Sequence, residues 1–328
     1  MKTYRPSLRR KSAALRRARA SSTRRSRRLA DADRFGFTDS DGVRIAWYEY
    51  GPADAATTVV MIHGYTLAAE SFYLQTEYLQ QRWPKVRLLL VDLRGHGMSD
   101  KPSAEQCSVD AAAQDVLRVM EQRVPTGRVV LLGHSLGGPV SLAVLRCAPQ
   151  ELYDRVAGVV QVASAIEELA AAGLARILDT RLAHLVFDFL HTKPRGALRL
   201  RQRIAGLISP VLAIGFFMRE TDDELIDFHA ALINETPTRT LVGFFDDLRV
   251  HQELAAAPRL RTLPGFVLVG QKDLVTPIAQ SERIWQEWPK AWLQVAHGAG
   301  HMLPLEAPGS VNAAVDRLLL HLTDAPGN

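Results

Sequence analysis

The chain has 328 residues, 47% hydrophobic and 23% charged, enough apolar material for a sizeable core and too ordinary a balance for a disordered or fibrous chain. Its formal net charge of +5 hides a split: residues 1–28 hold 12 of the 40 basic residues and no acid, so the other 300 carry 28 basic against 35 acidic groups, a net −7. That acidic body argues against nucleic-acid binding by the fold, and no stretch reaches the roughly 18 uninterrupted apolar residues of a membrane span.

Residues 1–30 read as a basic tail. Paired arginines without an apolar run behind them do not make a secretory signal. Such a charge run repels itself and stays solvated. The same arginines are suited to peripheral contact with an anionic membrane, and an acid-free, Arg- and Ser-rich start also has the composition of a targeting segment. The two cysteines, Cys107 and Cys147, lie in no metal-like spacing and fit a reducing, cytoplasmic setting.

After the tail, strands and helices alternate. Strands are predicted at 34–38 and 43–50, with Asp41-Gly42 as the turn between them. Continuous apolar runs predict buried parallel strands at 57–63, 86–92, 128–133 and 156–163. Helical patterns fall between them at 70–82, 109–123 and 138–147. The alternation resumes with a strand at 266–270, a helix at 278–287, a strand at 291–295 and a last helix at 308–322. This rhythm predicts an α/β fold with a mostly parallel twisted sheet flanked by helices, built from 31–164 and 256–328. Residues 165–255 break it. They read as helices only, at 166–178, 181–190, 195–206, 211–218, 223–234 and 238–246, and so as an all-helical cap or lid inserted between two strands. Residues 207–218 are strongly apolar, but their length and Pro210 rule out a membrane span; they suit packing on the sheet or the lining of an apolar substrate tunnel.

The most informative stretch is Gly133-His134-Ser135-Leu136-Gly137, directly after the apolar run Val129-Val130-Leu131-Leu132. A G-x-S-x-G after a strand puts the serine on a sharp strand-to-helix turn. A serine hydroxyl needs a base within hydrogen-bond reach, and the base needs an orienting partner. His301, in a Gly-flanked loop after the last strand, is the candidate base, with His297 its rival. Asp273, after the strand at 266–270, is the candidate acid, with Glu167 and Glu168 as alternatives. All three follow strands, where loops of a parallel sheet converge on one crevice.

These residues resemble the α/β-hydrolase superfamily, in its serine esterase and lipase-like form with a helical cap, over roughly residues 34–322. His63-Gly64-Tyr65-Thr66 stands where that family places its oxyanion motif, and Asp92 to Ser99 matches its turn after the fourth strand. Ser135, Asp273 and His301 follow the family's chain order. The resemblance implies Ser135 as nucleophile, His301 as base and Asp273 as its orienting acid. It implies an oxyanion hole from the N–H groups of Leu136 and Tyr65, and a structural role for His63, Asp92, Arg94 and His96. A serine at the elbow sets the chain apart from the epoxide hydrolases and haloalkane dehalogenases of this fold, which use aspartate there. His134 rather than asparagine before the serine sets it apart from the carbon–carbon bond hydrolases.

The expected function is therefore hydrolysis of a carboxylic ester with an apolar acyl or alcohol part, through an acyl-enzyme and without metal or organic cofactor. The expected partner is a small-molecule ester, lipid-like in view of the apolar insertion. Acyl transfer by the same three groups, and a binding protein that kept the fold without the chemistry, are the alternatives.

Overall fold

The computed structural model of the protein describes residue 29 and residues 31–167, 217–218 and 221–324. Eight strands form one sheet: β1 Arg34–Ser40, β2 Val43–Tyr50, β3 Thr57–Ile62, β4 Arg87–Val91, β5 Arg128–His134, β6 Val156–Val162, β7 Gly265–Gly270 and β8 Ala291–Ala296. Their spatial order is β1-β2-β4-β3-β5-β6-β7-β8. Strand β2 runs antiparallel to both β1 and β4, and every pairing from β4 to β8 is parallel. The turn between β1 and β2 is the expected one. Ser40 pairs with Val43, and Asp41 and Gly42 both take positive φ, 52° and 79°, as a two-residue hairpin of the type that matches strand twist requires.

The parallel strands are apolar on both faces because helices cover both. On one side Val60, Ile62, Leu89, Val91, Val129 and Leu131 pack with α2 (Val109–Arg123) and α3 (Gly137–Cys147). On the other, Val59, Met61, Leu88, Leu90, Val130 and Leu132 pack with residues of α1 (Tyr73–Arg82) and α7 (Pro308–Asp324). Successive residues of each strand go to opposite faces, as the two-residue period of a strand demands. Helix α6 (Ile278–Glu287) links β7 to β8 and packs against both.

Strand and helix ends shift by at most three residues from their predicted positions, and 43–50, 109–123 and 278–287 match at both ends. The helix expected over 70–82 divides into a 3₁₀ turn, Ala69–Phe72, and α1. In the insertion, α4 (Asp223–Glu235) and α5 (Thr238–Leu248) match two predicted helices. The predicted helices 181–190 and 195–206 lie outside the described residues, as do most of 166–178 and of 211–218. The described ends of those last two are not helical. Glu167 instead forms an antiparallel bridge with Gln252, and Phe217 and Met218 lie in extended or irregular chain. Apolar content alone does not mark where a chain leaves a helix to pair with another segment. The basic tail also lies outside the described residues, apart from Leu29.

The described part of the insertion rests on loops that follow β3 and β4. The Tyr65 hydroxyl donates to Leu241 O (2.6 Å), Thr240 Oγ1 to Gly95 O (3.3 Å), and the N–H of Val109 to Asp247 Oδ2 (2.8 Å). Phe228 of α4 meets Tyr73 edge to face, with ring centroids 5.7 Å apart. Among the described residues no helix is long and apolar enough to cross a membrane.

Candidate active site

Strand β5 lies inside the sheet, and its carboxyl end delivers Ser135 to the rim. The turn there is tight enough to demand both flanking glycines. A Cβ on Gly133 would overlap Gly137 O, and one on Gly137 would overlap Ile62 O. Ser135 itself sits at φ 51°, a left-handed conformation that costs a non-glycine residue about 1–3 kcal/mol. Its backbone is held by its neighbour strand. Ser135 N donates to Val162 O (2.9 Å), and Ser164 Oγ donates to Ser135 O (3.1 Å). The strain therefore persists because the sheet over-determines it.

Strand β7 brings up Asp273 three residues after its end, and β8 brings up His301 five residues after its end. The three side chains meet. His301 Nδ1 lies 2.9 Å from Asp273 Oδ2, and His301 Nε2 lies 3.0 Å from Ser135 Oγ. All three residues are at most 6% exposed. Asp273 Oδ1 also accepts the N–H groups of Val275 (2.8 Å) and Thr276 (2.9 Å), and Oδ2 accepts the Thr276 hydroxyl (2.8 Å). Burial pushes the Asp273 carboxyl up. The His301 ring and these donors outweigh it, so the group sits below the ordinary carboxylate range. An ionised carboxylate only accepts, so the proton between the pair is on His301 Nδ1. In the neutral ring that carries this proton, Nε2 is the acceptor and faces the Ser135 hydroxyl.

The rivals fall elsewhere. His297 is exposed and at the far end of the same loop. Glu167 is ion-paired with Arg283 of α6, and Glu168 lies outside the described residues. Tyr65 follows Gly64, whose Cα packs so closely on the elbow that an added Cβ would be 3.0 Å from Ser135 Cβ. Leu136 is the residue from which α3 starts. Among the described residues, none accepts a hydrogen bond from the main-chain N–H of either Tyr65 or Leu136.

The expected structural network is present. His63 Nε2 accepts the Leu93 N–H (3.0 Å) and its Nδ1 donates to Gly64 O (2.8 Å), tying the Gly64 loop to the β4 turn. Asp92 accepts from Ala69 N (2.7 Å), Met98 N (2.7 Å) and the Tyr48 hydroxyl (3.2 Å). Arg94 clasps the buried Asp115 with two bonds of 2.7 Å. Nearby, Asp110, His251 and Glu253 bring three ligand-type atoms within 4.8 Å of one another, but the Arg146 guanidinium lies among them, bonded to both carboxylates. That cluster is an ion-pair network joining α3 to the end of the insertion.

Three participants escaped the sequence reading. Thr276 holds the Asp273 carboxylate, and an Asp followed three residues later by Thr is a recognisable side-chain turn pattern. His134 donates from Nε2 to His301 O (3.1 Å). That bond leaves Nδ1 as a buried acceptor with no hydrogen-bond partner. Burial, with a smaller contribution from the His301 ring, pushes its pKa down to about 3, so it is neutral near pH 7. Glu306 is the third. Its two oxygens accept from Gly300 N and Met218 N, and nothing local in the sequence marks it.

The family model described as the alpha/beta hydrolase family matches residues 59–314. The chain is 26% identical over 272 residues to a dihydrolipoyllysine-residue acetyltransferase component of an acetoin cleaving system from Pseudomonas putida; the match covers 83% of this chain and 65%, just under two thirds, of that protein. It is 24% identical over 275 residues to an uncharacterized hydrolase, YugF, from Bacillus subtilis (strain 168), covering 82% of this chain and 91% of the other. Among solved structures, a thermophilic esterase from Thermogutta terrifontis superposes with a TM-score of 0.69 at 23% identity, covering 88% of this chain and 98% of that one.

Proposed function

The chain belongs to the alpha/beta hydrolase family, and from that premise we propose that it is a serine hydrolase that cleaves a carboxylic ester with Ser135, His301 and Asp273. The observation that carries this reading is the chain of contacts through the three groups, 3.0 Å from hydroxyl to imidazole and 2.9 Å from imidazole to carboxylate.

In the reaction, Ser135 Oγ bonds to the ester carbonyl carbon as His301 Nε2 takes the hydroxyl proton. Asp273 stabilises the imidazolium and keeps its ring oriented. The carbonyl oxygen becomes an oxyanion, held by the main-chain N–H groups of Tyr65 and Leu136. Each such donor is worth about 3 kcal/mol of transition-state stabilisation. Collapse breaks the carbon–oxygen bond of the ester, and the imidazolium returns the proton to the departing alcohol. Water then attacks the acyl-enzyme by the same route, releasing the acid and restoring Ser135. The strained serine backbone and the three converging loops hold these groups before substrate arrives, which is where positioning contributes most.

The apolar insertion supports an ester with an apolar acyl or alcohol part, and the +12 charge of residues 1–28 supports peripheral docking on an anionic membrane. The resemblance to the acetyltransferase component favours one second reading, acyl transfer, in which an alcohol or thiol replaces water at the acyl-enzyme. Product analysis with candidate acceptors separates the two.

A fluorophosphonate probe tests the chemistry. It should label the native protein and fail to label Ser135→Ala; an unlabelled native protein would overturn the assignment. A series of nitrophenyl esters from acetate to dodecanoate then tests the pocket. Rates should rise with acyl length, and activity on acetate alone would rule out an apolar acyl site.

A further inference from the structure

Glu306 is a buried acid that the reaction just described leaves unused. It ends the short helix Leu303–Glu306, immediately after the His301 loop, and is 8% exposed. Its Oε2 accepts the N–H of Gly300 (2.7 Å), the residue before His301. Its Oε1 accepts the N–H of Met218 (2.6 Å), 88 residues away in the chain and within the insertion. Carboxylate bonds of this kind are among the stronger hydrogen bonds in proteins. The two ends of the bridge are themselves held. His301 O accepts from His134 Nε2 and from Leu303 N (2.9 Å), and Ala299 O accepts from Lys272 N (2.9 Å). On the other side Phe217 is buried with its ring edge against His229 of α4, centroids 5.4 Å apart.

The insertion is therefore hydrogen-bonded to the residue adjoining the imidazole, through one side chain. We propose that Glu306 is a positioning residue: by joining Met218 of the insertion to Gly300, it makes the seating of the insertion set the aim of His301 at Ser135. This rests on the reading of Ser135, His301 and Asp273 as the reacting groups. A displaced insertion pulls one oxygen of the carboxylate, and the other oxygen carries the shift to the His301 backbone. Catalytic geometry is then complete only when residues 217–218 are in place.

Glu306→Gln tests this. The amide has nearly the shape of the carboxylate, but only one of its two ends accepts, so one N–H loses its partner. The turnover number is read per serine titrated with the fluorophosphonate probe, alongside KM and the downfield proton resonance of His301 Nδ1–H. Turnover should fall about tenfold to a hundredfold, the scale on which misplaced catalytic groups lose rate, with KM little changed, and the resonance should shift or broaden. A merely structural acid would lower the melting temperature and leave turnover per titrated site and the resonance alone, which would overturn the proposal.

Met218→Pro removes the other donor at a position outside any helix or strand. It should slow turnover in the same direction. The double variant should be no slower than the worse single, because both changes break one bridge; losses that multiply would show two independent effects and sink the link to the insertion. If the native protein is not labelled, the proposed chemistry fails instead. The Nδ1 proton of the Glu306→Gln variant still decides positioning: a shifted resonance supports it and an unchanged one refutes it.

Discussion

Two regions of the same rim use the same residue types to opposite ends. The turn from Asp92 to Ser99 contains an aspartate, a histidine and a serine, as does the site formed by Ser135, Asp273 and His301. In the turn every polar atom of the three is consumed locally. Asp92 is saturated by two backbone N–H groups and a tyrosine hydroxyl. His96 spends Nε2 on Thr66 N (3.2 Å) and Nδ1 on Arg94 O (3.0 Å), and Ser99 donates to Asp92 O (2.6 Å) while accepting from Ala46 N (2.8 Å). In the site the histidine bonds to side chains at both nitrogens, and the serine hydroxyl donates to His301 Nε2 while its oxygen accepts from no described donor. The difference lies in which valences are left open at the rim. A closed network gives rigidity, whereas one hydroxyl left open inside an otherwise closed network is what the proposed chemistry requires.

That contrast can be broken from either side. The largest expected effect is at the site. Asp273→Asn should lower kcat about 10⁴-fold, because an amide favours the wrong imidazole tautomer. Its thermal unfolding should move far less, and a stability loss that matched the activity loss would place Asp273 with the structural group. On the turn side, Arg94→Ala strands Asp115, which burial already pushes above the ordinary carboxylate range. Breaking such a buried pair from one partner costs about 3–5 kcal/mol, measured by urea unfolding. Turnover per titrated serine should stay near native in the protein that remains folded, and its collapse would mean that the turn takes part in catalysis.

The smallest effect sharpens the boundary between the regions. His134 belongs to the elbow but is closed off like the turn. Its folded-state pKa of about 3 lies below the ordinary value of 6.5, so the unfolded chain binds the proton first as pH falls. The stability it contributes is whole above about pH 6.5 and is lost as pH falls from there toward 3, which amounts to about 2 kcal/mol at pH 5. Native protein should therefore lose about that much relative to His134→Asn between pH 7 and pH 5, and parallel acid limbs would mean that the ring titrates freely.

Much of the arrangement is legible in the sequence alone. The G-x-S-x-G turn is a local steric statement: Gly133 and Gly137 are required by contacts a few residues from the serine and by the neighbouring strand. The apolar runs of β3 and β5 announced strands covered on both faces. Asp273 and His301 stand out as candidates, ahead of Glu167, Glu168 and His297, by their positions after strands, where a parallel sheet gathers its loops. Thr276 carried a local turn pattern, but the rest of what escaped had no local signature. Glu306 is one acid among 35 Asp and Glu, and Glu167 forms a bridge with Gln252 inside an expected helix because a partner 85 positions along the chain pairs with it.

By itself the order of residues determined the alternation of strand and helix and the placing of a hydroxyl, a carboxylate and an imidazole at strand ends. Period, glycine sterics and the polarity of short runs act within a few residues and can be read in one dimension. Only the tertiary structure decided between His301 and its rival His297 as the ring that meets Ser135, and which acid fastens the insertion to that histidine's loop. Those contacts join residues 166 and 88 positions apart. They exist because the sheet closes in one strand order and its helices pack on both faces, and distance along a chain carries no record of that.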